Sequence, residues 1–195
     1  MKLSMNIFLM SGLPCSGKTT TGATLLKYIK DNGMTAVSIS TSSTRGRRED
    51  LIHAICGDLY QAIVEKQASN IIVEGPFLNV YDREKLLKRI DAAYDVISEN
   101  NKFDINVIAI QHNRSNRFIF EHNGTEDEPT YSDRAIIRAT NIYQQAIRDE
   151  GFDFIYAVNG NRYVDMNKVA AAVNKLDYTF AYNEEKDNVK EATEA

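Results

Sequence analysis

The residues Gly12-Leu13-Pro14-Cys15-Ser16-Gly17-Lys18-Thr19 fit the spacing G-x-x-x-x-G-K-[ST], the pattern of a phosphate-binding P-loop. Each residue type has a chemical reason for its place. The glycines let the backbone curl so that its N–H groups point inward and form a nest for phosphate oxygens. Lys18 would bring a point charge to the β/γ-phosphates, and the Thr19 hydroxyl can ligate Mg²⁺. Gly12, Cys15, Ser16, Gly17, Lys18, Thr19 and Thr20 are therefore the expected phosphate-side residues, Cys15 as a small, tolerated side chain. An apolar run, Asn6 to Met10, precedes the motif, and Ala23, Leu26 and Ile29 follow at helical spacing. Strand, glycine loop and helix is the setting the chemistry needs, because the helix N-terminus presents unpaired N–H groups to the same anion.

The rest of the chain must position that loop. A length of 195 residues with 43% hydrophobic content suits one domain with a proper core, and no apolar run approaches a membrane span. With Cys15 and Cys56 the only cysteines, a reducing, cytoplasmic setting is expected rather than a disulfide framework. The net charge of −4 is largely a tail effect, since Asn183 to Ala195 carries five acids against Lys186 and Lys190. We expect residues 1–182 to form a single domain and 183–195 an acidic, disordered tail. The nearly neutral body does not advertise a nucleic-acid binder by charge alone.

Strand and helix patterns alternate along the chain. Strands are predicted at 35–40, 71–73, 105–110 and 152–158. Helices are predicted at about 51–66, 82–98, 130–147 and 164–176, with Thr130-x-x-Asp133 resembling a capping box. Such alternation implies a parallel sheet with helices on both faces and ligands at the carboxyl ends of its strands. Glu74 ends the third strand and is the expected partner of Mg²⁺ beside Thr19. Arg114 and Arg117 follow the fourth; lying three apart, they would share one face of a helical turn and could close over a transferring phosphoryl group. Residues from about 113 to 133 read as a lid, with an acidic tip at Glu121 to Pro129. His53, His112 and His122 share no metal-ligand spacing, and Asn174-Lys175-Leu176-Asp177 lacks the strand that a guanine-reading motif follows.

The P-loop, Ile71-Ile72-Val73-Glu74-Gly75 with Leu78-Asn79, Asn113-Arg114-Ser115-Asn116-Arg117, and Glu150-Gly151-Phe152-Asp153 together resemble the small P-loop kinases related to polynucleotide kinase and zeta toxins. The resemblance spans about Met5 to Val173. It implies a three-layer α/β fold with a five-stranded parallel sheet and a helical lid, ATP and Mg²⁺ as cofactors, and γ-phosphoryl transfer to a hydroxyl. By position it makes Lys18 and Thr19 the phosphate and Mg²⁺ residues, Glu74 the Walker-B acid, and Arg114 and Arg117 lid arginines. Asn159, with Val158 and Gly160, would approach the adenine. One departure matters. Family members carry D-x-x-R after the second strand, whereas this chain reads Ser42-Ser43-Thr44-Arg45, with serine in place of the acid that orients the acceptor.

The sequence thus points to an ATP- and Mg²⁺-dependent kinase acting on a hydroxyl of a nucleic acid or nucleotide-type acceptor, a modified-base hydroxyl in DNA included. A nucleoside, nucleotide or other small-molecule kinase stays open, as does a nucleotide-binding regulatory module that has lost transfer. Catalysis would rest on Lys18, Arg114 and Arg117. Ser42, Arg45, Arg47 and Arg48 would face the acceptor, where the arginine cluster suggests a phosphorylated or polymeric substrate. The acceptor's identity and the oligomeric state are not legible here.

Overall fold

The structure, a computed structural model, describes residues 3–41, 46–65, 69–98, 103–124, 131–159 and 165–169. The chain divides into two units, Met1–Tyr163 and Val164–Ala195. In the second, Asp165 Oδ1 accepts from the backbone N–H groups of Asn167 (3.0 Å) and Lys168 (3.3 Å), starting a helical turn at 166–169. The rest of the expected closing helix, the 174–177 segment and the domain–tail boundary lie outside the described residues.

The first unit is a five-stranded parallel sheet in the order β2-β3-β1-β4-β5. Its strands are β1 (Leu3–Gly12), β2 (Ala36–Ser40), β3 (Asn70–Glu74), β4 (Phe103–Asn113) and β5 (Phe154–Asn159). The helices are α1 (Lys18–Asp31), α2 (Arg48–Val64), α3 (Val80–Ser98), α4 (Asn116–Glu121) and α5 (Asp133–Ile142). Strand periodicity sorts the core. Met5, Ile7 and Leu9 of β1 with Ile71 and Val73 of β3 face Ile52, Ile55, Leu59 and Ile63 of α2 and Leu86, Ile90 and Ala93 of α3. The opposite face belongs to α1, whose Leu25 and Ile29 are buried and whose Gly22 lies beside Ile72. The interior strand β3 is buried along its whole length, as a parallel strand covered on both faces must be.

Register is pinned by an amide ladder at the amino end of the sheet. Asn6 pairs in register with Asn70 and Asn106, and their side chains bond in series: Asn6 Nδ2 to Asn70 Oδ1 at 3.1 Å, and Asn106 Nδ2 to Asn6 Oδ1 at 3.0 Å. A one-residue slip would break every bond and turn the apolar faces over.

At the carboxyl end, Leu13, Leu78, Ile119, Ile136 and Ala139 form a second apolar cluster that joins the P-loop to α4 and α5. This is the helical lid. Asn123, just after α4, clips onto Tyr131 just before α5: its Oδ1 accepts from Tyr131 N (2.9 Å) and its Nδ2 donates to Tyr131 O (2.7 Å). Two expectations need correction. α5 starts at Asp133, not Thr130, because Ser132 is its N-cap, accepting from Ala135 N. It also ends at Ile142 rather than Ile147, since Tyr143 turns extended and Gln144 N donates to Leu78 O at 2.7 Å.

Candidate functional site

The P-loop follows β1 and winds through three left-handed φ values, Gly12 (147°), Cys15 (57°) and Gly17 (89°), before α1 begins at Lys18. A Cβ on Gly12 would sit 2.7 Å from Ser16 Oγ and 3.0 Å from His112 Cβ, so the turn is closed to any other residue. No acid of α1's own stands in its first turn. Ser16 Oγ is buried and finds no hydrogen-bond partner among the described residues. Lys18 Nζ folds back onto the loop, donating to Leu13 O (2.6 Å) and Gly12 O (3.1 Å).

Register carries the neighbouring residues to the loop. Glu74 is the partner of Met10 on one side and of Ser40 on the other. Its carboxylate is buried, with Oε1 accepting from the Thr19 hydroxyl and Oε2 from Ser40 Oγ at 3.2 Å. Thr19 and Glu74 thus meet as expected, and Ser40 is a third oxygen that the sequence reading did not single out. A curled backbone too tight for a Cβ, an orphaned buried hydroxyl and three converging hard-oxygen side chains fit a nucleotide phosphate with Mg²⁺.

β4 outruns its apolar segment, and its polar end lies under the loop. His112 is partner to Gly12 and almost wholly buried. Its Nδ1 lies 3.3 Å from Ser11 O, a group that can only accept, so Nδ1 carries the proton and Nε2 accepts from the Thr21 hydroxyl at 2.9 Å. Burial lowers the imidazole pKa to about 4, and the Lys18 charge pushes the same way; the Ser11 carbonyl opposes them, and Arg114 adds a smaller depression. The folded pKa lies below the unfolded 6.5, so the unfolded state binds the proton more readily. This contribution is complete above pH 6.5 and lost as pH falls towards 4, by up to about 3 kcal/mol. Denaturant unfolding across that range should show the loss, and His112→Gln should flatten it.

Arg114 and Arg117 do not share a helical face. Ser115 takes the N-cap of α4, accepting from Phe118 N at 3.2 Å, which leaves Arg114 outside the helix. Arg114 Nε donates to Ser16 O of the P-loop at 3.3 Å, and its guanidinium lies 4.8 Å from the Phe118 ring centre. Arg117 points away, 87% exposed and paired with Glu121 at 2.7 Å.

On the other side, Arg47 is the N-cap of α2 and pairs with Asp50 at 2.9 Å in solvent. Arg48 opens α2 sooner than periodicity suggested and lies 3.5 Å from buried Asp82, whose Oδ2 also accepts from Leu78 N. The two arginines therefore have carboxylate partners of their own. Ser42 and Arg45 lie outside the described residues. Asn159 ends β5 as partner of Asn113, which donates to its Oδ1 at 3.1 Å. Among the described residues no group of three or more His, Cys, Asp or Glu could hold a metal by itself, and no helix is long and apolar enough to cross a membrane.

The family described as chromatin associated protein KTI12 matches residues 5–73, the stretch from β1 through β3. No curated protein sequence matches the chain. Among solved structures, a fungal RNA kinase superposes with a TM-score of 0.66 at 15% identity, covering 91% of this chain and 87% of that one. Kti12 from Chaetomium thermophilum, in complex with ADP-AlF3, gives 0.65 at 13% identity over 83% and 93%. The Mycobacterium tuberculosis APS kinase CysC, in complex with AMPPNP and APS, gives 0.56 at 13% over 90% and 98%. With its strand order, P-loop and helical lid, the chain has the P-loop kinase fold.

Proposed function

We propose that this chain is an ATP- and Mg²⁺-dependent phosphotransferase that moves the γ-phosphoryl group to the hydroxyl of a nucleic acid or nucleotide-type acceptor. The observation that carries the reading is the convergence of Thr19, Glu74 and Ser40 beside Lys18 and the P-loop. Since Glu74 and Ser40 belong to β3 and β2, the γ-phosphate end of the nucleotide faces those strands. Its base then lies over the ends of β4 and β5, where Asn113 and Asn159 stand. Mg²⁺, when bound, neutralises phosphate charge between Thr19 and Glu74.

Lys18 holds the β/γ-phosphates, the backbone of Gly12, Cys15, Ser16 and Gly17 cradles them, and Thr20 adds its N–H at the start of α1. The acceptor enters from the β2 side, past the α2 terminus with Arg47 and Arg48, and Ser42 and Arg45 are candidates to meet it by their place in the sequence after β2. A loose transition state asks little of a base, so positioning and charge carry most of the rate without the family's aspartate. The fungal RNA kinase supports a nucleic-acid acceptor. With Cys15 and Cys56 not joined in a disulfide, the protein suits a reducing, cytoplasmic setting.

Arg114, on the P-loop backbone, is the arginine placed to meet charge on the transferring group. Arg114→Ala should lower kcat by about 10²-fold with little change in the KM for ATP, because its contribution arises in the transition state. Arg117→Ala should cost far less. Steady-state kinetics of both variants checks this; equal losses would remove the distinction.

The deciding experiment is transfer of labelled γ-phosphate from ATP to 5′-hydroxyl DNA and RNA, nucleosides, nucleotides and base-modified DNA. Serine at position 42, where the family's aspartate would stand, favours a second reading, a nucleotide-binding regulatory module without transfer. ATP binding with no acceptor-dependent turnover on any of these would support it.

A further inference from the structure

A chain of amide side chains runs from the segment after α5 to the tip of β5. Ala146 N donates to Gln111 Oε1 at 2.6 Å, and Gln111 Nε2 donates to Asn113 Oδ1 at 3.0 Å. Gln145 Nε2 reaches the same Oδ1 at 3.4 Å, and Asn113 Nδ2 donates to Asn159 Oδ1 at 3.1 Å. The two ends of an amide are nearly alike in shape, so the hydrogen-bond network must decide which way each faces. Here the first link decides. A backbone N–H can only donate, so Gln111, which is 3% exposed, must turn its oxygen to Ala146. Its NH₂ then fixes the Asn113 oxygen, and the Asn113 NH₂ fixes the Asn159 oxygen. The direction of every amide follows from one main-chain group, and Asn159, exposed at the strand end, is left with its NH₂ to offer.

We propose that Gln111 and Asn113 determine nucleobase preference by holding Asn159 with its NH₂, a donor, toward the base. The proposal rests on the nucleotide-site reading above, which lays the base over the ends of β4 and β5. On its Watson–Crick edge adenine presents N1 as an acceptor beside its N6 amino donor, whereas guanine presents O6 as an acceptor beside its N1–H and N2 amino donors. Facing the ring N1, a donor at Asn159 bonds adenine and meets the N1–H of guanine donor to donor. Only Asn159 touches the base; Gln111 and Asn113 act through it as positioning residues.

The test is calorimetric titration of the full chain with ADP and with GDP. Asn159→Asp keeps an oxygen for Asn113 and replaces the outward donor with an acceptor, so any role in tying the strand ends together is preserved. The ratio of Kd for GDP to Kd for ADP should fall at least about tenfold, roughly the value of one exchanged hydrogen bond. Gln111→Glu, while ionised, still accepts from Ala146 but no longer donates to Asn113, leaving Gln145 as the remaining donor to that oxygen, so the hold on Asn113 and Asn159 should loosen and the ratio should move the same way from a residue remote from the base. If Gln111→Glu fails to fold, the exposed Asn159→Asp decides alone. An unchanged ratio in Asn159→Asp overturns the proposal, and so does equal weakening of both nucleotides, which added negative charge near phosphates would give. If the wild-type chain binds neither nucleotide, the nucleotide-site reading falls and this proposal with it.

Discussion

Lys18→Ala is expected to reduce γ-phosphoryl transfer by about 10³-fold, to weaken ATP binding by roughly ten- to a hundredfold, and to leave the fold intact. Lys18 Nζ donates to two carbonyls of the loop, Gly12 O at 3.1 Å and Leu13 O at 2.6 Å. A bound β/γ-phosphate would offer it a charged acceptor instead, and charge-assisted bonds are about twice as strong as neutral ones. That charged acceptor is the source of the binding energy that Lys18 supplies on the proposed reading. Loss of the side chain should not open the turn, because Ser16 N still donates to Leu13 O and the Gly12 backbone is packed against His112. Circular dichroism and a melting curve establish that the variant is folded; the transfer assay and calorimetry with ATP then read the two losses. Turnover like the wild type's from folded Lys18→Ala would remove the P-loop assignment.

What the sequence disclosed follows from which signals are local. A P-loop is a contiguous pattern, and the strand-end rule then located Glu74, which the structure brings to Thr19. The parallel sheet and its covering helices follow from period and alternation, and both were legible. Ser40 was not, because only the register of β2 against β3 sets it opposite Glu74. The carboxyl end of β4 was hidden for another reason. Gln111, His112 and Asn113 read as a polar loop, but each is satisfied by a partner far along the chain, and a buried polar group with its bonds made can continue a strand. The shared-face reading of Arg114 and Arg117 failed on one residue, Ser115, whose cap shifted the helix start past Arg114. Helical periodicity continues to Ile147, yet α5 stops at Ile142 because Tyr143 turns extended and the Gln144 N–H goes to Leu78 O, while the carbonyls of Gln144 and Gln145 beyond it are taken by a side chain from α3.

That side chain is Arg83, and its loss is expected to be the most destabilising single change outside the apolar core. In the sequence it looks like one more cation on a solvated helix face. In the structure its side chain is 0% exposed and lies against Glu150, whose side chain is 5% exposed. Nε and Nη2 bond the two carboxylate oxygens at 2.7 and 2.8 Å, and Nη1 and Nη2 donate to Gln144 O and Gln145 O at 2.8 and 3.1 Å. Glu150 Oε1 also accepts from Ile147 N at 3.1 Å. Removing either partner strands a charge where water cannot reach it, so Arg83→Met and Glu150→Gln should each cost about 3–5 kcal/mol. The double variant leaves no lone charge and should be less destabilised than the two singles added together, by at least about 1 kcal/mol. Urea unfolding of the four proteins supplies the cycle, and single losses below about 1 kcal/mol would show that the pair is solvated. The same pair holds the 144–151 segment in place, and Ala146 on that segment starts the amide chain leading to Asn159. A variant that survives folding should therefore also blur the choice between ADP and GDP, a readout that stability alone would not move.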